Sequence, residues 1–158
     1  MREDLVTPAT ARRLAQEGLT WDPQPGDWVT ALGGVTQDEG LVGLWLVVNV
    51  QPDGRLLLAD ATGRWPQSRG IARDCLWLPS AGKLKMWLRG RGYRVATGEV
   101  TARLLGGDGA MTHHVCRLTR TGGAPPVDGE GMNEAEAVAV AALQALGSGT
   151  ADGPRTAW

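Results

Sequence analysis

A short helix between two groups of strands is the feature that most constrains this fold. Residues 77–93 read WLPSAGKLKMWLRGRGY, which predicts a strand end, a proline turn and one short helix. Leu84, Trp87 and Leu88 share one face of that helix, so we expect this face to be buried. The segment therefore joins a strand-rich half of the chain to a half that combines strands with helices.

The first half predicts one helix followed by short antiparallel strands. Thr7 and Pro8 are typical of a helix start, and Gly18 of a helix end. Turns rich in proline and glycine then separate strands expected at residues 28–32, 41–50, 56–59 and 71–78. We expect an N-terminal helix over residues 1–20 and a barrel-like β subdomain over residues 21–79.

The second half predicts a hairpin packed against a C-terminal helix. Residues 94–104 alternate between apolar and polar side chains, Gly106 to Gly109 indicate a turn, and residues 111–121 return as the partner strand. Residues 122–131 are expected to form a loop. The last helix, residues 132–146, has Asn133 as its cap, and Gly147 marks its end. Its predicted apolar stripe consists of Ala135, Val138, Ala139, Ala142, Leu143 and Leu146.

These elements predict an α+β fold in which a small antiparallel barrel-like sheet is followed by a helix and a β-hairpin packed by a C-terminal helix. The helix–hairpin–helix (αββα) subdomain spans residues 80–147, and residues 148–158 are expected to form a flexible tail because they lack periodicity.

The register of the hairpin decides which histidine is buried. A two-residue turn places Val100 and Ala102 on one face with Met111 and His113, whereas an odd-numbered loop turns His114 and Cys116 inward. We favour the two-residue turn, because it gathers apolar side chains on the face that needs them. His113 is then expected in the core and His114 on the more polar face.

Charge is distributed in three blocks. The formal charge of −1 combines an acidic N-terminal block (residues 1–63), a basic middle block (64–120) and an acidic C-terminal block (121–158). The middle block either binds a polyanion or faces the acidic segments of its own fold. The candidate nucleic-acid-binding residues are Lys83, Lys85, Arg89, Arg91 and Arg94. That hypothesis requires the basic side chains around the short helix to face solvent as one patch.

A helix, strands and a final alanine-rich helix also resemble the double-stranded-RNA-binding domain. Its closing helix begins with lysines that contact phosphate, whereas this chain has Glu130, Asn133, Glu134 and Glu136 there. Because these carboxylates would repel phosphate, the resemblance fails at the residues that would bind.

Two histidines and a cysteine suggest a metal site or a reactive thiol. His114 and Cys116 share one strand face, and Cys75 is a candidate third ligand. No C-x-x-C or H-x-x-x-H spacing is present, and a buried free cysteine is commonly a small hydrophobe. We therefore expect no catalytic residue and no cofactor.

The sequence predicts a cytoplasmic protein. It has only two cysteines, no basic and apolar leader within residues 1–11, and no apolar run that approaches the roughly 20 residues of a spanning helix. With 7 Trp and no Phe, the indole rings must supply most of the aromatic packing.

Two resemblances carry further expectations. GDWV, LWLVVNV, PDGRLLLAD and RDCLWLP, within residues 26–79, resemble a Src-homology-type small barrel, whose members bind peptides, nucleic acids or a neighbouring domain. The order W-x-P-x-P-GDW, WLP, L-x-x-WL, GY and EAEAVAVAALQAL is similar to short uncharacterised proteins of phages and prophages. Because the sequence shows no assembled catalytic set and no cofactor loop, the leading hypothesis is a non-enzymatic binding or regulatory protein with a protein partner, in a phage or prophage context. A nucleic-acid-binding protein and a metal- or cysteine-dependent enzyme are the alternatives.

Overall fold

The computed structural model describes residues 4–31, 43–60, 68–103, 106–107 and 109–149. The predicted loop over 33–40 lies outside these residues, as do most of the loop over 60–70 and most of the tail over 148–158. The described residues form an α+β fold with two antiparallel sheets and three helices, which confirms the predicted fold class.

Two of the three helices begin at the predicted caps, Thr7 and Asn133, and the third begins after Ser80. The helices are α1 (Pro8–Gln16), α2 (Ala81–Gly90) and α3 (Glu134–Gly149). The side chains of Thr7 and Ser80 each accept a hydrogen bond from the backbone N–H three residues on, both at 3.3 Å. Asn133 accepts from the Glu136 N–H at 2.8 Å. The predicted end of the last helix was wrong, because α3 continues through Gly147 to Gly149.

Eight strands form the two sheets. They are β1 (Trp28–Ala31), β2 (Trp45–Val50), β3 (Arg55–Asp60), β4 (Ser68–Ile71), β5 (Cys75–Trp77), β6 (Tyr93–Arg103), β7 (Ala110–Arg120) and β8 (Val127–Gly131). The first sheet has the order β4-β3-β2-β1-β5, and the second has the order β6-β7-β8.

The strand predicted over residues 71–78 was wrong as a single element. A 3-10 turn at Ala72–Asp74 interrupts it, so that β4 pairs with β3 and β5 pairs with β1 at the opposite edge. Among the described residues β4 and β5 do not pair with each other. The sheet is therefore barrel-like in strand order, and the barrel is not closed.

The second sheet contains a strand that the sequence analysis placed in a loop. β8 pairs with β7 from His114 against Gly131 to Leu118 against Val127, so the second half is αβββα rather than αββα. Its glycines explain the missing apolar pattern. A Cβ on Gly129 would lie 2.3 Å from the Ala141 backbone nitrogen, so β8 and α3 approach more closely than any side chain permits.

Two hydrophobic cores hold the molecule. The first lies between the three helices and one face of the β6–β8 sheet, and it includes Leu14, Leu84, Leu88, Leu118 and Val138. The second fills the five-stranded sheet with Val29, Trp45, Val47, Leu56, Leu58 and Cys75. α1 packs on α3, so the N-terminal helix belongs to the same core as the C-terminal half.

Residues 77–93 connect these two cores, as their position in the sequence predicts. The ring of Trp77 stacks on Trp21 with centroids 6.3 Å apart, and the Leu78 N–H donates to the Trp28 carbonyl at 2.8 Å. Leu84 and Leu88 are fully buried in the first core, and Trp87 is partly buried against it. Of the helices described, none is long and apolar enough to cross a membrane.

Candidate functional site

Lys83 on α2 is held by the N-terminal half of the chain. Its Nζ donates to Gln24 Oε1 at 3.0 Å and lies 3.7 Å from Asp27 Oδ1. Asp27 is only 3% exposed, and its other carboxylate oxygen accepts from the Trp21 indole and the Gln24 backbone, both at 2.9 Å. Lys83 thus compensates a buried carboxylate.

Lys85, on the same helix, is held by the start of α3. Its ammonium donates to the Glu134 carboxylate, which also accepts from the Thr97 hydroxyl at 2.8 Å. These two hydrogen bonds, that of Lys85 first, hold the pKa of Glu134 below its usual 4.5. The carboxylate that would have repelled phosphate therefore binds one of the candidate basic residues within the fold.

The three arginines of the candidate set are distributed differently. The Arg91 guanidinium lies 4.3 Å from the ring centroid of Trp87, in a cation–π contact. Arg89 and Arg94 are exposed, and neither forms an ion pair with any described residue. The five predicted residues consequently do not form one open basic patch, because both lysines are held within the fold.

The candidate metal ligands lie in two different cores. Cys116 is buried in the first core and Cys75 in the second. His114 Nδ1 lies 3.9 Å from Glu99 Oε1, and His113 Nε2 lies 3.8 Å from Glu130 Oε2. Within the described residues no three metal-ligating side chains come together. The predicted set of His114, Cys116 and Cys75 is therefore not assembled.

Both thiols are poorly suited to nucleophilic chemistry. Burial raises the pKa of Cys75 to about 11, with the Asp74 carboxylate adding to the effect. Burial also raises the pKa of Cys116 to about 11, although the nearby Lys85 ammonium opposes it. The thiolate is the reactive form, so little of either side chain is reactive near neutral pH.

The residues of the hairpin are grouped on its two faces as predicted, but the face that is buried is the other one. Val100 pairs with His113 and Ala102 with Met111, as an even-numbered connection requires. The buried side chains of β7 are nevertheless Cys116 and Leu118, which lie on the other face of the sheet. The prediction that His113 is a core residue was wrong. His114 lies on the helix-covered face and His113 on the opposite face, and both are partly exposed.

The reversal leaves an apolar sheet face open to solvent. We call it the outer sheet face. Its apolar and glycine residues are Ala96, Gly98, Val100, Ala102, Met111 and Val115, and His113 lies among them, opposite Val100. Val100 is 43% exposed and Met111 is 48% exposed. Scattered exposed apolar residues are ordinary on protein surfaces, whereas a contiguous group indicates an interaction surface.

An ion pair and a histidine–carboxylate contact lie along β8, beside the outer sheet face. Arg117 and Asp128 form a two-point ion pair with distances of 2.7 and 2.9 Å, and Glu130 faces His113. An open groove of about 460 Å³ runs between the ion pair and Gly98 on β6. The surface thus combines apolar side chains with polar and charged groups at its β8 side, as protein interfaces do.

A second groove, of about 320 Å³, lies where the two halves of the molecule meet. It is lined by Trp28, Trp77, Ser80, Asp27 and Lys83, among others. Lys83 contacts Asp27 and Gln24, so the polar side chains of this groove are accounted for by contacts within the fold.

The fold and these surfaces define an α+β protein that combines an open five-stranded sheet with an αβββα unit. Comparison with family models, with curated proteins and with solved structures finds no match to the chain.

Sequence reasoning missed the outer sheet face because it assumed that the more apolar face of a hairpin is buried. The inner face is apolar only near Val95, Cys116 and Leu118, where α2 and α3 cover it. Asp27 was also missed, since an aspartate in a turn is unremarkable. The tryptophan six residues before it was the available signal, because an indole N–H needs an acceptor.

Proposed function

We propose that this protein is a non-enzymatic binding module that recognises another protein through the outer sheet face. The exposure of Val100 and Met111 on a regular sheet is the observation that carries the proposal. The partner surface that fits it is a folded apolar patch with charges at its margin. Those charges would meet the Arg117–Asp128 and His113–Glu130 pairs.

The chemistry of the cysteines supports a binding role over a catalytic one. Both thiols are buried, and burial raises the pKa of each to about 11. The two lysines of α2, the helix that packs on the opposite face of this sheet, are already held, Lys83 by Gln24 and Asp27 and Lys85 by Glu134. A partner of neutral, apolar character therefore fits this protein better than a polyanion does.

The setting that we propose is the cytoplasm of a cell that carries a phage or prophage. The order of tryptophan, proline and alanine-rich motifs supports the phage setting. Two unpaired cysteines, each buried in a separate core, suit a reducing compartment. The five-stranded sheet resembles a Src-homology-type barrel in its strand pattern alone. We propose that this sheet serves to hold residues 77–93 in place.

Affinity capture with matched methionine variants tests the binding surface. Wild-type protein, Met111→Lys and Met86→Lys are immobilised and exposed to nuclease-treated extract of the native host. Met111 lies on the outer sheet face, whereas Met86 is 68% exposed on α2 and serves as the control. We expect a protein that wild type and Met86→Lys retain and Met111→Lys loses, because a lysine introduces an unpaired charge among the apolar side chains of this face.

Two results would contradict the proposal. One is equal retention of every captured protein by the Met111→Lys and Met86→Lys variants, provided that both variants unfold at the wild-type temperature. The other is turnover of a substrate that depends on Cys116, which Cys116→Ala would abolish.

A further inference from the structure

β6 is a long edge strand that is open on one side. It spans eleven residues, Tyr93–Arg103, and pairs only with β7 among the described residues. Natural proteins protect such edges with prolines, bulges or inward-pointing charges. β6 contains no proline, and its pairing with β7 is unbroken over all eleven residues. Among the described residues, the backbone N–H and C=O groups on this side of β6 have no strand partner and are therefore available to another strand.

The sequence of β6 is suited to pairing with itself. In an antiparallel pair about a two-fold axis normal to the sheet, opposed residues lie on the same face, and one residue on the axis faces its own copy. With Gly98 on the axis, all eleven residues of each strand overlap. No two like charges then oppose each other, because Arg94 faces Ala102, Glu99 faces Thr97 and Arg103 faces Tyr93.

Neighbouring registers are less favourable. A shift that places Glu99 on the axis sets that carboxylate against its own copy, which is destabilising. A shift to Thr97 or Val100 avoids this repulsion but shortens the overlap of the two strands. Position 98 also accepts a side chain, because a Cβ built on Gly98 meets only Val115 Cγ2, at 3.7 Å.

We propose that two copies of this chain associate by antiparallel pairing of β6 with β6 about Gly98, forming one continuous six-stranded sheet. The inference rests on the proposed function, since it joins two outer sheet faces into a single apolar surface. Val100 of one copy lies beside Ala96 of the other on that surface. Self-pairing satisfies the free backbone groups of both edges and doubles the area offered to the partner.

Disulfide trapping tests the pairing and its register. In Gly98→Cys the two thiols face each other across the axis, with Cα atoms about 4.5 to 5.5 Å apart, which a disulfide spans. Under mild oxidation we expect the variant to shift from monomer to covalent dimer mass. Val48→Cys, at a strand position 38% exposed on the other sheet, is the control and should remain a monomer. The native thiols are buried and add little background.

A second pair of positions checks the register independently. Ala96→Cys or Val100→Cys alone should not form dimers, because neither thiol faces another. The double variant should form dimers through two disulfides. Efficient trapping of Val100→Cys alone would overturn the Gly98 register. A wild-type monomer at every concentration in sedimentation, together with no trapping of Gly98→Cys, would overturn the dimer.

The outcomes for dimer and binding function are separable. A chain that fails to trap yet still shows Met111-dependent capture would remove the dimer and leave the proposed function. If Gly98→Cys forms the dimer but capture of host proteins is insensitive to Met111→Lys, the dimer is kept and the proposed function is lost.

Discussion

Single glycines on β8 determine how closely the second sheet can approach its helix. A Cβ on Gly131 would lie 2.6 Å from the Ala137 backbone nitrogen, and Gly129 is tighter still. Both obstacles are backbone atoms, which cannot move without displacing α3. The alanines of α3 provide the other half of this close contact, and Ala137 and Ala141 are fully buried.

Gly129→Ala should destabilise the protein by about 3 kcal/mol, or prevent folding, because overpacking against backbone cannot relax. Urea denaturation followed by tryptophan fluorescence measures the change in the free energy of unfolding. Gly98→Ala is the matched control, and we expect it to be neutral or to stabilise by about 0.5 kcal/mol. Equal stability of the two variants would show that β8 does not pack on α3 as described.

Glu134 makes part of the stability depend on pH. Hydrogen bonds from Lys85 and Thr97 lower its pKa in the folded state, so its contribution is complete above the unfolded pKa, near 4.5. That contribution is lost as pH falls through the lowered folded value. Glu134→Gln should therefore lower stability at pH 7 while flattening the decline below about pH 4.5. Parallel acid unfolding curves for wild type and variant would contradict this.

At the scale of elements, α1 is attached to the rest of the fold by α3. Glu136 accepts hydrogen bonds from the Thr7 N–H and from the Thr10 hydroxyl, the latter at 2.9 Å. Asn133 Nδ2 donates to the Leu5 carbonyl at 3.1 Å. A carboxylate at the start of α1 also complements the helix dipole. Two residues near the start of α3 thus fasten the N-terminal segment.

Glu136→Gln should lower the free energy of unfolding by about 1 to 2 kcal/mol, because it weakens charge-assisted hydrogen bonds at a helix start. Amide hydrogen exchange should quicken in α1 more than in α2. Glu17→Gln, at the exposed C-cap of α1, is the control for loss of a carboxylate and should leave the free energy of unfolding unchanged or slightly raised. Uniform acceleration across all helices would indicate a global effect instead.

The elements that could be predicted from sequence are those with local signals. Thr7, Ser80 and Asn133 define the starts of the three helices by side-chain chemistry within one turn. β8 has no such signal, because its sequence VDGEG does not alternate between apolar and polar residues. Its glycines allow close packing against α3. The division of residues 71–78 into two strands depends on pairing with β3 and β1, which are distant in sequence.

The candidate site was predictable only in part, for a similar reason. The composition of the basic block is visible in the sequence, but the neutralisation of Lys83 and Lys85 requires residues about 50 or more positions away. The residues of the hairpin were correctly assigned to two faces. Which face is buried depends on where α2 and α3 pack, and this cannot be seen in the local sequence. Val100 and Met111 are exposed because they lie on the face of the hairpin that the helices do not cover.

At the scale of the whole molecule, three charge blocks fold so that acidic and basic segments meet. Asp27 from the N-terminal block compensates Lys83, and Glu134 from the C-terminal block compensates Lys85. The acidic N-terminal block and the acidic C-terminal block therefore each neutralise one lysine of α2. The central claim that follows is that these lysines serve the fold and that the surface open to a partner is apolar.

Nucleic-acid binding measured as a function of salt tests that claim most directly. Labelled double-stranded RNA and DNA are titrated with the wild-type protein at low salt, followed by a rise in salt. We expect no salt-sensitive binding, because phosphate contacts by free lysines and arginines are what give such binding its salt dependence. Binding that persists at low salt, weakens steeply as salt rises and is reduced by Lys85→Ala would contradict it.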